Sequence, residues 1–117
     1  MQLATQFIAL ENVLVVRLEG ELDHHSAAHL KMEWQEQMQK NNSKHVVLNL
    51  ENLQFMDSSG LGVVLGRYKE VQQIGGEMVV CSISNAVKRL FDLSGLFKIV
   101  RLEENEAFAL LTLGVAS

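Results

Sequence analysis

Proline is absent from this 117-residue chain, and cysteine and tryptophan each occur once. No proline-rich or Ser/Gly-rich linker, charge block or internal repeat divides the sequence, so a single compact unit over residues 1–117 is expected. A lone Cys81 cannot form an internal disulfide, which fits a reducing compartment. The first ten residues carry no Lys or Arg ahead of their short apolar run and do not read as a signal peptide. The apolar runs fall far short of the ~20 residues that span a bilayer. A cytoplasmic protein without a membrane partner is therefore expected. Excess positive charge is missing too. Ten basic residues stand against fourteen acidic ones, for a net charge of -4, which speaks against nucleic acid as a direct partner.

What remains is an ordinary globular mixture, 48% hydrophobic and 21% charged. A chain of this length buries roughly two thirds of its unfolded surface, so neither a metal nor a disulfide is required to hold it together. Residues 5–10 and 13–18 are apolar, β-branched runs separated by Glu11-Asn12. That spacing predicts a hairpin, with Asn12 supplying the tolerance for positive φ that tight turns require. After Gly20-Glu21-Leu22 the period changes. Asp23 is placed to cap a helix in which Ala27, Leu30, Trp34 and Met38 face the core, ending near Asn41-Asn42. Residues 45–50 (HVVLNL) read as a buried strand, and residues 51–57 as a connector. A second helix follows with Leu61, Val64, Leu65, Tyr68 and Val71 inward, stopped by Gly75-Gly76.

Residues 77–81 (EMVVC) predict another buried strand, and residues 85–94 a short helix burying Val87, Leu90 and Phe91 and closed by Gly95. Residues 99–102 predict an edge strand. Glu103 and Glu104 open a last helix carrying Ala107, Leu110 and Leu111. The order β-β-α-β-α-β-α-β-α implies an α/β fold: a mixed, mostly parallel sheet of four to five strands with about four helices.

The segment Phe55-Met56-Asp57-Ser58-Ser59-Gly60-Leu61-Gly62 places an acid and two hydroxyls where a connector becomes a helix. Asp and Ser are ordinary N-cap residues, and capping alone would account for them. Two glycines in the first turn cost helix stability, about 1 kcal/mol each relative to Ala, and leave the hydroxyls uncovered for another protein. Either Ser58 or Ser59 would suit such a partner. The loop Gly20 to Asp23 is equally explained as a turn before a capped helix. In α/β folds, however, ligands gather outside the carboxyl ends of strands, which would bring Asp23 and Ser58 onto one surface.

Asp57-Ser58-Ser59-Gly60-Leu61-Gly62 resembles the phosphorylation motif of bacterial anti-anti-sigma factors, the STAS domain family, and Gly20-Glu21-Leu22-Asp23 is similar to its other loop signature. The flanking residues look nearest to the sporulation branch of that family. The resemblance covers the whole chain and implies one STAS domain that is a binding module and not an enzyme, with no cofactor of its own. It implies that the unmodified protein binds an anti-sigma factor that is also a serine kinase, freeing a sporulation sigma factor. That kinase, which itself holds the ATP, would phosphorylate Ser58 and so end binding, and a metal-dependent serine phosphatase would restore the active form. Many relatives carry Thr where Ser59 stands, which keeps the hydroxyl. On this reading Asp57, Ser58, Ser59, Gly60, Gly62 and Asp23 form the partner-facing set.

Other patterns are weaker. Gly60-x-Gly62-x-x-x-Gly66 does not directly follow the strand, as a dinucleotide fingerprint requires. Neither serine lies in a G-x-S-x-G elbow. His25 and His29 have i, i+4 spacing beside His24 but no HExxH glutamate, and a solvated helix face explains them. Cys81 reads as a buried thiol, and Trp34 and Tyr68 as core residues. Two rival functions remain: a small-ligand or nucleotide-binding STAS domain of another signalling or transport system, and a hydrolase using a motif serine.

Overall fold

The alternation of apolar residues along each strand decides which layer of helices covers which side of the sheet. The structure, a computed structural model, describes residues 2–115. The elements are β1 (Leu3–Leu10), β2 (Val13–Leu22), α1 (Ala27–Asn41), β3 (His45–Met56), α2 (Ser58–Gln73), β4 (Met78–Cys81), α3 (Asn85–Ser94), a 3-10 turn (Leu96–Lys98), β5 (Arg101–Glu103) and α4 (Glu106–Thr112). The five strands lie side by side in chain order. β1 is antiparallel to β2 and every other pair is parallel, the α/β arrangement expected from the sequence.

Leu14, Val16 and Leu18 of β2 and Val46, Leu48 and Leu50 of β3 share one core with side chains of α1, α2 and α3, among them Trp34, Val64 and Phe91. The intervening residues Val13, Val15, Val47, Val79 and Cys81 build a smaller core under Ala109 of α4. Cys81 is fully buried there, and burial pushes its thiol up to about 11, so it is chemically quiet. Across the same face Arg17 of β2 grips Glu106 at the start of α4 with two hydrogen bonds of 2.9 and 2.7 Å, and Asn49 of β3 adds a third at 3.1 Å.

Several sequence expectations need correction. The positive φ of the hairpin falls on Glu11 (53°), and the carbonyl of Asn12 instead accepts the N–H groups of Lys44 and His45, docking the start of β3. Residues 51–57 are not a connector: β3 continues to Met56, paired with a β2 that itself runs on to Leu22. The two strands extend past the end of β4, which pairs only with residues 46–49 of β3, so their tips are more polar and read as loop. Gly20 sits in this extension at φ +102°, where a Cβ would come 2.1 Å from the carbonyl oxygen of Gln2. No other residue fits.

The last strand begins at Arg101, because the 3-10 turn takes up the chain after Gly95. The last helix opens at Asn105, whose side chain accepts the N–H of Phe108, and the buried position is accordingly Ala109. Ala107 and Leu111 are exposed, and Leu110 is half-buried. In α2 the buried face carries Gly60, Val63, Val64, Arg67 and Val71, while Leu61, Leu65 and Tyr68 pack at its margins.

Candidate functional site

β2 and β3 end together. Leu22 pairs with Met56, and the N–H of Asp57 donates to the carbonyl of Leu22 at 3.2 Å. The two loops carrying the sequence motifs therefore emerge side by side, and Asp57 joins them. One of its carboxylate oxygens accepts the N–H groups of Ser59 (2.9 Å) and Gly60 (3.2 Å), capping α2. The other accepts the N–H of His24 at 3.2 Å. The His24 imidazole lies 4.0 Å from the same carboxylate but is largely exposed, so even when protonated it adds little.

Asp23 does not cap α1. The N-cap position is Ser26, with no side-chain cap, and Asp23 instead organises the turn before it. Its Oδ1 accepts the N–H groups of His25 (2.9 Å) and Ser26 (3.2 Å), while its own N–H donates to the Ser26 hydroxyl at 3.1 Å. Lost solvation acts to raise the Asp23 carboxyl, and those donors outweigh it, holding the group below its ordinary value of 3.8. His24 and His25 belong to this turn, so the proposed i, i+4 face with His29 does not exist: α1 begins only at Ala27.

Ser58 is the first residue of α2 and is exposed. Its hydroxyl makes no hydrogen bond among the described residues, and no histidine reaches it through one. Ser59 is half-buried. The two glycines do different things. Gly60 is buried, and a Cβ there would approach Met56 Cγ at 2.7 Å and Leu22 Cγ at 2.8 Å, so its missing side chain seats the helix on the strand ends. Gly62 faces solvent with nothing within 4 Å of where its Cβ would lie, and it leaves the flank of Ser58 open.

The sequence reading missed the apolar rim of this surface. Leu93 is 80% exposed, and Phe55 and Ile99 are about half exposed. A cleft of about 410 Å3 separates Ser58, Leu61 and Leu65 of α2 from Ser94, Leu96 and Ile99. A second, of about 260 Å3, runs between Phe55 at the end of β3 and Leu90 and Leu93 of α3. The signal was present: Leu93 lies one turn beyond Leu90 and widens the apolar side of α3 past the buried Val87 and Phe91, more than one core-facing stripe needs.

An exposed hydroxyl at a helix start, framed by carboxylate-tied loops and an apolar rim, is suited to recognition by another protein. Among the described residues no helix is long and apolar enough to cross a membrane. The chain is 56% identical over 105 residues to the anti-sigma F factor antagonist of Paenibacillus polymyxa, covering 90% of each protein. It is 35% identical over 96 residues to the anti-sigma F factor antagonist of Lysinibacillus sphaericus, covering 82% of this chain and 81% of that one. Among solved structures it resembles the Bacillus cell fate determinant SpoIIAA in its phosphorylated form, with a TM-score of 0.75 and 31% identity over 94% of this chain and 99% of that one. The STAS domain model matches residues 5–109, and the chain belongs to the STAS domain family.

Proposed function

We infer that this chain is a cytoplasmic anti-sigma factor antagonist, a binding protein with no catalysis of its own, gated by phosphorylation of Ser58. The observation that carries this reading is the Ser58 hydroxyl, exposed at the first turn of α2 and without a hydrogen bond among the described residues, beside the apolar rim of Phe55, Leu93 and Ile99. Its relatives' names and the phosphorylated state of SpoIIAA support it.

In this reading the unmodified surface docks on an anti-sigma factor that is also a serine kinase, and a sporulation sigma factor is released. Asp57, Ser59, Gly60 and Gly62 shape the contact around Ser58, and the Asp23 turn lies in the same surface. The kinase brings its own ATP. Ser58 Oγ attacks the γ-phosphorus, ADP leaves, and the hydroxyl proton passes to a base of the kinase. A metal-dependent serine phosphatase returns the hydroxyl.

The new group carries about -1.5 to -2 charges and three strong acceptors. The α2 N-terminus favours that charge within this protein, by about 0.3–1 kcal/mol. Against a partner the balance reverses. Asp57 already places a carboxylate one residue away, and burying an unpaired dianion in an interface costs several kcal/mol. A hundredfold loss of affinity needs only about 2.8 kcal/mol, so occlusion suffices without a conformational change.

The test is to incubate the protein with its anti-sigma kinase and ATP and to map the added phosphate, about 80 Da, by peptide mass spectrometry. Modification of Ser58, absent in Ser58→Ala, is expected. Exclusive modification of Ser59 would move the switch to the neighbouring hydroxyl, and no modification would remove it.

A further inference from the structure

An open sheet has two edge strands, and here they differ sharply. β5 spans three residues, two of them charged, Arg101 and Glu103, which blunts that edge. β1 at the other edge runs for eight residues, LATQFIAL, with no charge, no proline, no glycine and no break in its register with β2. Edge strands of natural proteins ordinarily carry a lysine, a proline or a bulge that stops another strand from adding. β1 has none of these.

The pairing with β2 decides which backbone groups of β1 are open. The N–H of Glu21 donates to the carbonyl of Gln2 at 3.4 Å, and Leu3 lies opposite Gly20, so the hydrogen-bonded pairs fall on the even-numbered residues of this strand. The N–H and C=O groups of Leu3, Thr5, Phe7 and Ala9 therefore point away from the sheet. Among the described residues no helix or loop bonds to them. The Thr5 hydroxyl donates to Glu33 of α1 at 2.8 Å, which holds that helix on the face of the strand and leaves its edge clear.

The four open residues are symmetric about Gln6. On a two-fold axis through Gln6, an antiparallel copy of β1 sets Leu3 against the partner's Ala9 and Thr5 against the partner's Phe7. Every open group is then used, and no charge in the strand meets a like charge. We propose that the chain forms a two-fold symmetric dimer in which β1 pairs antiparallel with β1 of a second copy, joining the two sheets into one. The short, charged β5 is a poor template for further addition, so assembly closes at two copies. Antiparallel pairing turns the two Ser58 surfaces to opposite ends of the joined sheet, where both stay open. The proposal does not depend on the antagonist reading.

The test is sedimentation equilibrium of the full-length protein. The mass is expected to rise from 13.1 kDa toward twice that value as concentration increases to about 1 mM, with a dimer Kd on the order of 100 μM. Gln6 is exposed, so replacing it spares the core. Gln6→Lys sets two like charges face to face at the axis and should weaken the dimer at least about tenfold, with the circular dichroism spectrum unchanged. Gln6→Cys should give a disulfide-linked dimer on oxidation, because opposed residues of a non-hydrogen-bonded pair lie within disulfide reach. Arg101→Cys on the β5 edge should not, and the buried Cys81 stays silent in both variants. A mass that remains at 13.1 kDa throughout would overturn the proposal. So would a dimer that Gln6→Lys leaves intact, or one that Arg101→Cys links as readily as Gln6→Cys.

Discussion

Asp57 satisfies three backbone N–H groups drawn from two segments, those of Ser59 and Gly60 in α2 and that of His24 in the turn after β2. Asp57→Ala removes the cap and unties the loops together. A loss of about 1–2 kcal/mol is expected, read as a lower denaturation midpoint at unchanged m-value, with Asp57→Asn recovering most of it because an amide oxygen still accepts. The neighbouring glycines separate packing from access. Gly60→Ala forces a Cβ against Met56 and Leu22, and an overpacking cost of about 1–3 kcal/mol outweighs the gain in helix propensity. Gly62→Ala meets nothing and should stabilise by about 0.5–1 kcal/mol. Equal effects at the two positions, in one urea titration series, would show that the helix start is not seated as described.

At the scale of elements, α4 is pinned to the sheet by Glu106. The two hydrogen bonds from Arg17 hold the Glu106 carboxyl below its ordinary 4.5, against burial, which acts to raise it, and Asn49 assists. A carboxyl depressed in the folded state contributes stability that is present above its unfolded value and is lost as pH falls through the folded one. Arg17 is 42% exposed, so solvent screening limits the contribution to under about 1 kcal/mol. Glu106→Gln should therefore lower stability at pH 7 and converge with the parent protein as pH drops below the ordinary value of 4.5. A deficit that persisted unchanged into acid would make the role steric.

The elements also mark what the residues could reveal unaided. α3 was legible to its limits, because Ser84 accepts the N–H of Val87 at one end, Gly95 adopts the left-handed conformation at the other, and Val87 and Phe91 keep one stripe between them. The tips of β2 and β3 were not, since a strand without a neighbour on one side loses its apolar alternation there. That the Asp23 turn and the segment carrying Ser58 emerge at one end of the sheet followed from topology, because parallel neighbours end at the same edge. Arg67 was hidden. A charged residue between Val64 and Val71 reads as surface, and only the approach of α1, with Glu70 and Gln35 in place, makes its burial tolerable.

For the whole molecule, phosphate at the start of α2 falls on a site that the helix dipole favours, outside both cores. The Ser58-phosphorylated protein should keep the parent fold and melt within about 5 °C of it, by calorimetry. Amide shifts should gather in residues 23–26 and 57–61, joined by the Asp57 hydrogen bonds. A large destabilisation would instead make the switch an unfolding event. The most direct measurement is the Kd of the anti-sigma kinase for the unmodified and the Ser58-phosphorylated protein, taken by calorimetric titration under one buffer and nucleotide condition. A weakening of at least about a hundredfold, with Ser58→Ala binding as the unmodified form does, is the expected result. Equal affinities for the two forms would contradict it.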